Sequence, residues 1–368
     1  MKSPLPRLLH PLMGCNLKTL IKLLSHNGFV APNRLTQLSL ILAATLSRLP
    51  FSLGEKIWVA QSSTSLVSPP VFIIGHWRSG TTYLYNLLSC DRAFTTVSPL
   101  ATGLPEDFLL LAKLIQPLLE KALPSDRKID QVPVNPDSPQ EDEIALANMQ
   151  SVSFYHGLYF PQRFRANFDA GIFFTGCTPQ EVEQWQKAMT YFLTKLQLQH
   201  PNRCLLIKNP VYTARVALLR LMFPNAKFIH IYRNPYIVFQ SMRNFYRTLL
   251  AEMALQSYDR VAIDEVILES YPKMMNSLFE DRAKLQPDQF VEVRFEELKA
   301  DPLSQIEQIY RQLNLDNFAA AKPYFQQYLN SLSPYRQNSY QFNPVDNQQV
   351  EKYWQPFIDR WQYKPPVS

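Results

Sequence analysis

Four cysteines stand in 368 residues, at Cys15, Cys90, Cys177 and Cys204, and no two of them form a CxxC pair. No His/Cys cluster has metal-ligand spacing either, so a structural zinc site is excluded and no metal is expected. Thiols left single in this way suit a reducing compartment, and the chain reads as cytoplasmic. The first fourteen residues are broken by Pro4, Pro6 and Pro11 and lack the continuous apolar run of a secretory signal. Leu35 to Ser47 is uncharged between Arg34 and Arg48, but 13 residues are too few to cross a bilayer, which needs about 20. That stretch reads as a helix capped at Asn33 and packed on the domain. A peripheral membrane contact at the inner face, helped by Lys18, Lys22, Arg34 and Arg48, is the alternative. A dense basic run is also missing, which argues against a nucleic-acid partner. The net charge of +6 suits an anionic ligand or membrane surface, although a modest excess of solvated Lys and Arg would give the same figure. With 46% hydrophobic and 18% charged residues, the chain can bury a sizeable core.

Short apolar runs mark strands at Val71–Gly75, Arg203–Lys208, Lys227–Tyr232 and Phe290–Arg294. Helices are expected over 15–66, with Gly28 and Pro50 as punctuation, and from Tyr83, Ser138, Thr178, Thr213, Pro235 and Pro302 onward. The stretches 62–70 and 124–139 read as loop. Strands alternating with helices imply an α/β fold, a mainly parallel sheet of about four to five strands covered on both faces. With no internal repeat and no true linker, one domain is expected over 1–368. It comprises an N-terminal helical extension (1–66), a core (70–315) and a C-terminal tail (316–368).

Gly75-His76-Trp77-Arg78-Ser79-Gly80-Thr81-Thr82 lies between a strand and a helix. Backbone N–H groups at a helix N-terminus carry partial positive charge and attract anions. Gly75 and Gly80 permit a tight turn and a close approach to phosphate oxygens. Arg78 adds a cation, and Ser79, Thr81 and Thr82 add hydroxyls. Where a Walker loop carries lysine this one carries Thr81, which argues against an ordinary ATPase. A second group follows the third strand: Arg233 at its carboxyl end, where open α/β sheets bind ligands, and Ser241 eight residues on. A forked cation and a hydroxyl can converge on one anion. Alone, this pair could equally be a solvated arginine and an ordinary helix serine.

In this order the two groups resemble the sulfotransferase family. The loop GHWRSGTT is similar to its 5′-phosphosulfate loop. FIHIYRNPYIVFQS is similar to its 3′-phosphate segment, which implies that Arg233 and Ser241 hold the 3′-phosphate of 3′-phosphoadenosine 5′-phosphosulfate (PAPS). LLIKNP followed by FPNAKFIHIYRNP resembles the bacterial-type branch, and the likeness spans about Pro70 to Leu315. It implies a P-loop-like nucleotide-binding and catalytic core, with a tail closing over the nucleotide. Where similar sequences carry a histidine after the lysine of the third segment, this chain has Tyr212. In the tail, Tyr335-Arg336-Gln-Asn-Ser339 resembles a loop over the nucleotide, and Arg336 is a candidate 3′-phosphate contact.

Sulfuryl transfer is in-line and loose, like phosphoryl transfer, but the moving group carries less negative charge. Arg, Lys and hydroxyl donors can then serve without a metal clamp. Lys208, at a strand end, is a candidate to stabilise the bridging oxygen, or else a surface ion-pair partner. The acceptor hydroxyl or amine must lose a proton. Glu141 and Glu143 in SPQEDE are the candidate bases, against a plain role for Ser138 and Glu141 as a capping box. His76 is the next candidate, while His156 and His230 read as structural. The aromatic stretch Phe154 to Phe174 either lines an apolar acceptor pocket or packs the core. Sugar, lipid, polyketide and phenol acceptors all remain open. The competing readings are a P-loop kinase or NTPase, and a non-catalytic nucleotide-binding protein.

Overall fold

The computed structural model describes residues 9–62, 66, 68–111, 138–332 and 342–366. Their contacts group into two units. One takes 68–95, 203–246 and 262–368 and holds a five-stranded sheet; the other takes 1–67, 96–202 and 247–261 and is helical.

In the first unit the strands are β1 (Val71–Ile74), β2 (Phe94–Thr95), β3 (Cys204–Lys208), β4 (Lys227–Tyr232) and β5 (Phe290–Arg294). Their order is β2-β3-β1-β4-β5 and every pairing is parallel. In register, Val71 of β1 lies opposite Leu206 on one side and Lys227 on the other. A parallel strand between two others is covered on both faces, and all four residues of β1 are buried. Val71 and Ile73 join Leu84, Leu88, Ile306 and Ile309 in one cluster. Phe72 points the opposite way, stacked on Phe228 at 5.6 Å and edge-on to Tyr212 at 5.7 Å. The chain leaves β1 to one side for β2 and β3 and returns to its other side for β4. The carboxyl ends of β1, β3 and β4 therefore flank a topological switch point, where open sheets bind ligands.

The helical unit is built chiefly on Leu17–Asn27, Leu35–Gln61, Glu143–Met149, Phe164–Phe173 and Pro179–Gln199. Most of the aromatic stretch is core: Phe154, Tyr159, Phe160, Phe164 and Phe168 are all buried. Phe164 stacks on Phe168 at 5.7 Å, and Phe154 meets the same ring edge-on. Two ion pairs are buried with them. Lys195 meets Glu55, and Arg48 donates to both carboxylate oxygens of Asp107 at 2.8 and 2.9 Å.

Several boundaries differ from expectation. Phe94–Thr95 adds a fifth strand too short for its period to show. Asn33 sits in a 3-10 turn, and the helix after it starts at Leu35 without a side-chain cap. Pro50 does not interrupt that helix, which runs on to Gln61. The stretch Thr213 to Phe223 divides into a 3-10 turn, Pro210–Ala214, and a helix, Val216–Met222. No helix among the described residues is long and apolar enough to cross a membrane.

Candidate functional site

The loop after β1 gathers three unusual backbone positions. Gly75, Arg78 and Gly80 all have positive φ, at 141°, 70° and 98°. A Cβ on Gly75 would fall 2.2 Å from the carbonyl oxygen of Ile231, so only glycine lets β1 pass β4 there. A Cβ on Gly80 would strike the Phe295 ring at the same distance. Gly80 is the N-cap of the helix Thr81–Leu88, whose first intrahelical bond runs from the Leu84 amide to the Gly80 carbonyl. The first amides of a helix, here those of Thr81, Thr82 and Tyr83, have no intrahelical acceptor and are able to bind an anion.

Arg78 adopts the left-handed conformation that a side-chain-bearing residue takes only when its surroundings hold it. Two contacts do so. Its Nε donates to Ser241 Oγ at 2.8 Å, and its carbonyl accepts from Arg233 Nη1 at 3.3 Å. The loop cation and the Arg233/Ser241 pair, 155 and 163 residues apart in sequence, are thus one constellation. Arg233 also lies over the Phe295 ring, 4.6 Å from its centroid. Ser241 and Arg233 are both buried.

Lys208 ends β3 with no exposed surface, which removes the surface ion-pair reading. Its Nζ stands 3.5 Å from Thr82 Oγ1, in the first turn of the helix Thr81–Leu88. Ser79 and Thr81 are buried, Thr82 half-buried. Two neighbours carried no sequence signal. Thr213 Oγ1 accepts the Gly75 amide at 2.8 Å and so fixes how the loop leaves β1. Phe295, directly after β5, touches both the Gly80 position and Arg233.

His76 and Trp77 turn inward. The imidazole is 1% exposed, its Nδ1 is 3.1 Å from the Trp77 carbonyl, and its ring tilts against Tyr271 at 5.0 Å. Burial pushes its pKa down to about 4, so it stays neutral at pH 7. His156 is held by the carbonyls of Ala147 and Ser151, and His230 by Glu292 at 3.1 Å.

The acidic candidates lie in the helical unit. The expected helix at Ser138 starts instead at Glu143, with Asp142 as N-cap, so Ser138 and Glu141 do not form its capping box. The Gln140 amide donates to the Val97 carbonyl at 2.8 Å, which holds this stretch out of the helix. Glu141 is half-buried, whereas Glu143 is fully buried and accepts from Ser153 Oγ at 2.7 Å. Arg336 lies outside the described residues, as does the rest of Tyr335 to Ser339. No group of three or more His, Cys, Asp or Glu that could hold a metal occurs among the described residues.

Residues 69–319 match the model of the Sulfotransferase family. The chain belongs to the sulfotransferase family. Two curated relatives of this sulfotransferase, from Mycobacterium bovis and Mycobacterium tuberculosis, are named omega-hydroxy-beta-dihydromenaquinone-9 sulfotransferase Stf3. Each is 30% identical over 355 residues, covering 95% of this chain and 90% of its own length. Among solved structures, sulfotransferase STF9 from Mycobacterium avium matches with TM-score 0.69 and 16% identity, over 92% of this chain and 88% of its own. STF1 from Mycobacterium tuberculosis matches with TM-score 0.61 at the same identity, over 92% and 90%. The fold is therefore that of a sulfotransferase, a central parallel sheet with a P-loop-like first turn. Membership also removes the kinase and non-catalytic readings: the enzyme is a transferase.

Proposed function

We propose that this sulfotransferase takes its sulfuryl group from PAPS and passes it to a hydroxyl or amine of a small apolar, glycan or lipid acceptor by in-line displacement. One observation carries the donor assignment: Arg78, Arg233 and Ser241 meet through hydrogen bonds of 2.8 and 3.3 Å at the carboxyl edge of the sheet. A nucleotide with phosphate at both ends of its ribose needs anion donors for each, held at fixed spacing. The amides of Thr81 and Thr82 and the Arg78 guanidinium suit the 5′ end; Arg233 and Ser241 suit the 3′-phosphate, with Arg336 as a further contact.

Lys208, beside Thr82, is placed to meet the charge that grows on the bridging oxygen as the S–O bond breaks. Glu141 and Glu143 are the candidate bases: Glu143 accepts from Ser153 Oγ, and Glu141 precedes the helix. As the acceptor oxygen or nitrogen bonds sulfur, its proton goes to a base, the bond from sulfur to the bridging oxygen breaks, and adenosine 3′,5′-bisphosphate leaves. A lipid is the favoured acceptor class, since the curated relatives are named for a menaquinone derivative. The same reading places the enzyme in the cytoplasm and gives it no metal.

The test is thermal. Adenosine 3′,5′-bisphosphate should raise the melting temperature well above what equal AMP or ATP achieves, because a ligand stabilises the native state in proportion to its affinity. Equal shifts for AMP and the bisphosphate would remove the 3′-phosphate site. Transfer from labelled PAPS should also survive EDTA; loss with rescue by Mg²⁺ would contradict the metal-free mechanism.

A further inference from the structure

The helix Leu35–Gln61 is built inside out. Its buried face is Gln37, Ile41, Thr45, Arg48, Glu55 and Val59, four of them polar or charged. Arg48 is taken up by Asp107 and by the carbonyls of Met13 and Gly14, and Glu55 by Lys195 and the Leu110 amide. The outward face carries the large apolar side chains. Leu35 and Leu46 are each 51% exposed, Leu53 and Ile57 each 61%, and Trp58 45%. At about 100° per residue, Leu35, Leu46, Leu53 and Ile57 fall within roughly 40° of one another and form a single stripe. Of the three charged residues in the helix, Lys56 alone is exposed. An ordinary surface helix sends its apolar face to the core and its charges to water, so this one is made for a medium other than water.

We propose that this stripe docks the enzyme on the surface of an anionic phospholipid membrane, the helix lying in the plane of the interface. The charge around the face selects the occupant. The two cations along the stripe are the partly exposed Arg34 at the start of the helix and Lys56 near its end, and the helix's one carboxylate, Glu55, is on the buried face. Cations flanking an apolar stripe meet lipid phosphates while the leucines enter the acyl boundary, and an exposed tryptophan suits the headgroup level. A second copy of this chain would bring the same cations against these. Lys22 and Arg48, expected from the sequence to assist a membrane contact, take no part: Lys22 pairs with Glu181 and Arg48 is buried. The inference stands apart from the donor site, which lies in the other unit.

Co-sedimentation with vesicles decides it, using the full chain. Vesicles of phosphatidylglycerol and phosphatidylcholine should carry down the wild-type protein, with a blue shift in tryptophan emission. Pure phosphatidylcholine should carry at least tenfold less. The double variant Leu53→Glu/Ile57→Glu should lose binding at least tenfold, while Leu221→Glu, at an apolar residue 71% exposed in the sheet unit, should not. An unchanged thermal shift with adenosine 3′,5′-bisphosphate shows that the double variant is folded. Wild-type protein that stays in the supernatant, or a double variant that binds as well, overturns the proposal. So does sedimentation velocity showing a dimer that the double variant abolishes, which would assign the stripe to a second copy.

Discussion

Two sets of cations, one in each unit, are held in different ways. In the helical unit, Lys195 and Arg48 are matched by the carboxylates of Glu55 and Asp107. In the sheet unit, Arg78 leans on a serine hydroxyl, and Arg233 on a backbone carbonyl and an aromatic face. The first arrangement specifies packing; the second gathers cations at the carboxyl edge of the sheet, where the proposed donor site lies. Removing Arg48 should therefore destabilise the protein and removing Arg233 should disarm that site, and four measurements press on that difference.

The largest effect should come from Glu143, a buried carboxylate of the helical unit that accepts from a serine hydroxyl. Glu143→Gln should keep bisphosphate binding but lose about 10²- to 10⁴-fold in turnover, and Glu141→Gln should lose little. Full turnover in the first variant would return the acid to a packing role.

Arg48→Ala should cost about 3–5 kcal/mol of stability by stranding Asp107 in the core. Chemical denaturation reads that cost, and bisphosphate affinity in the folded fraction should be unchanged. Arg233→Ala should do the reverse: stability nearly kept, bisphosphate affinity weakened by about 1.5–3 kcal/mol, AMP affinity untouched by calorimetry. If Arg233→Ala melted the protein instead, the contrast between the units would fail.

The smallest effect is one of pH. Burial holds His10, His76 and His156 down at about 4, below the ordinary 6.5. Each therefore binds a proton in the unfolded chain first. Their contribution to stability is complete above pH 6.5 and is lost as pH falls toward 4. Going from pH 7 to pH 6 should cost about 0.7 kcal/mol per such histidine. A melting temperature flat between pH 7 and 5 would show that these rings are hydrated.

Much of the sheet was legible because a strand buried on both faces reads as an unbroken apolar run, as in VFII and CLLIK. Thr178-Pro179 announced its helix equally well, since threonine and Glu181 form the capping box that local chemistry demands. The same reasoning misled at Ser138, where a tertiary hydrogen bond to Val97 overrode the local signal. Pro50 misled for a related reason. It lies on the exposed side of its helix, as does Leu46, so the carbonyl that loses its donor can turn to water. At the site, the sequence showed which residues bear charge and which elements they end. It did not show that Arg78 reaches Ser241, because that contact depends on how neighbouring strands are ordered.

Phe295 acts as a spacer gauge. Its ring fills the room that a side chain on residue 80 would need, and the cation of Arg233 rests over the same ring. The Gly80 turn and the Arg233 cation, assigned above to the two ends of the proposed donor, therefore meet on one benzene ring. A narrower aliphatic filler, as in Phe295→Leu, should let Arg233 sink toward the loop. Selectivity should then drift from the 3′-phosphate toward nucleotides whose second phosphate hangs elsewhere on the ribose.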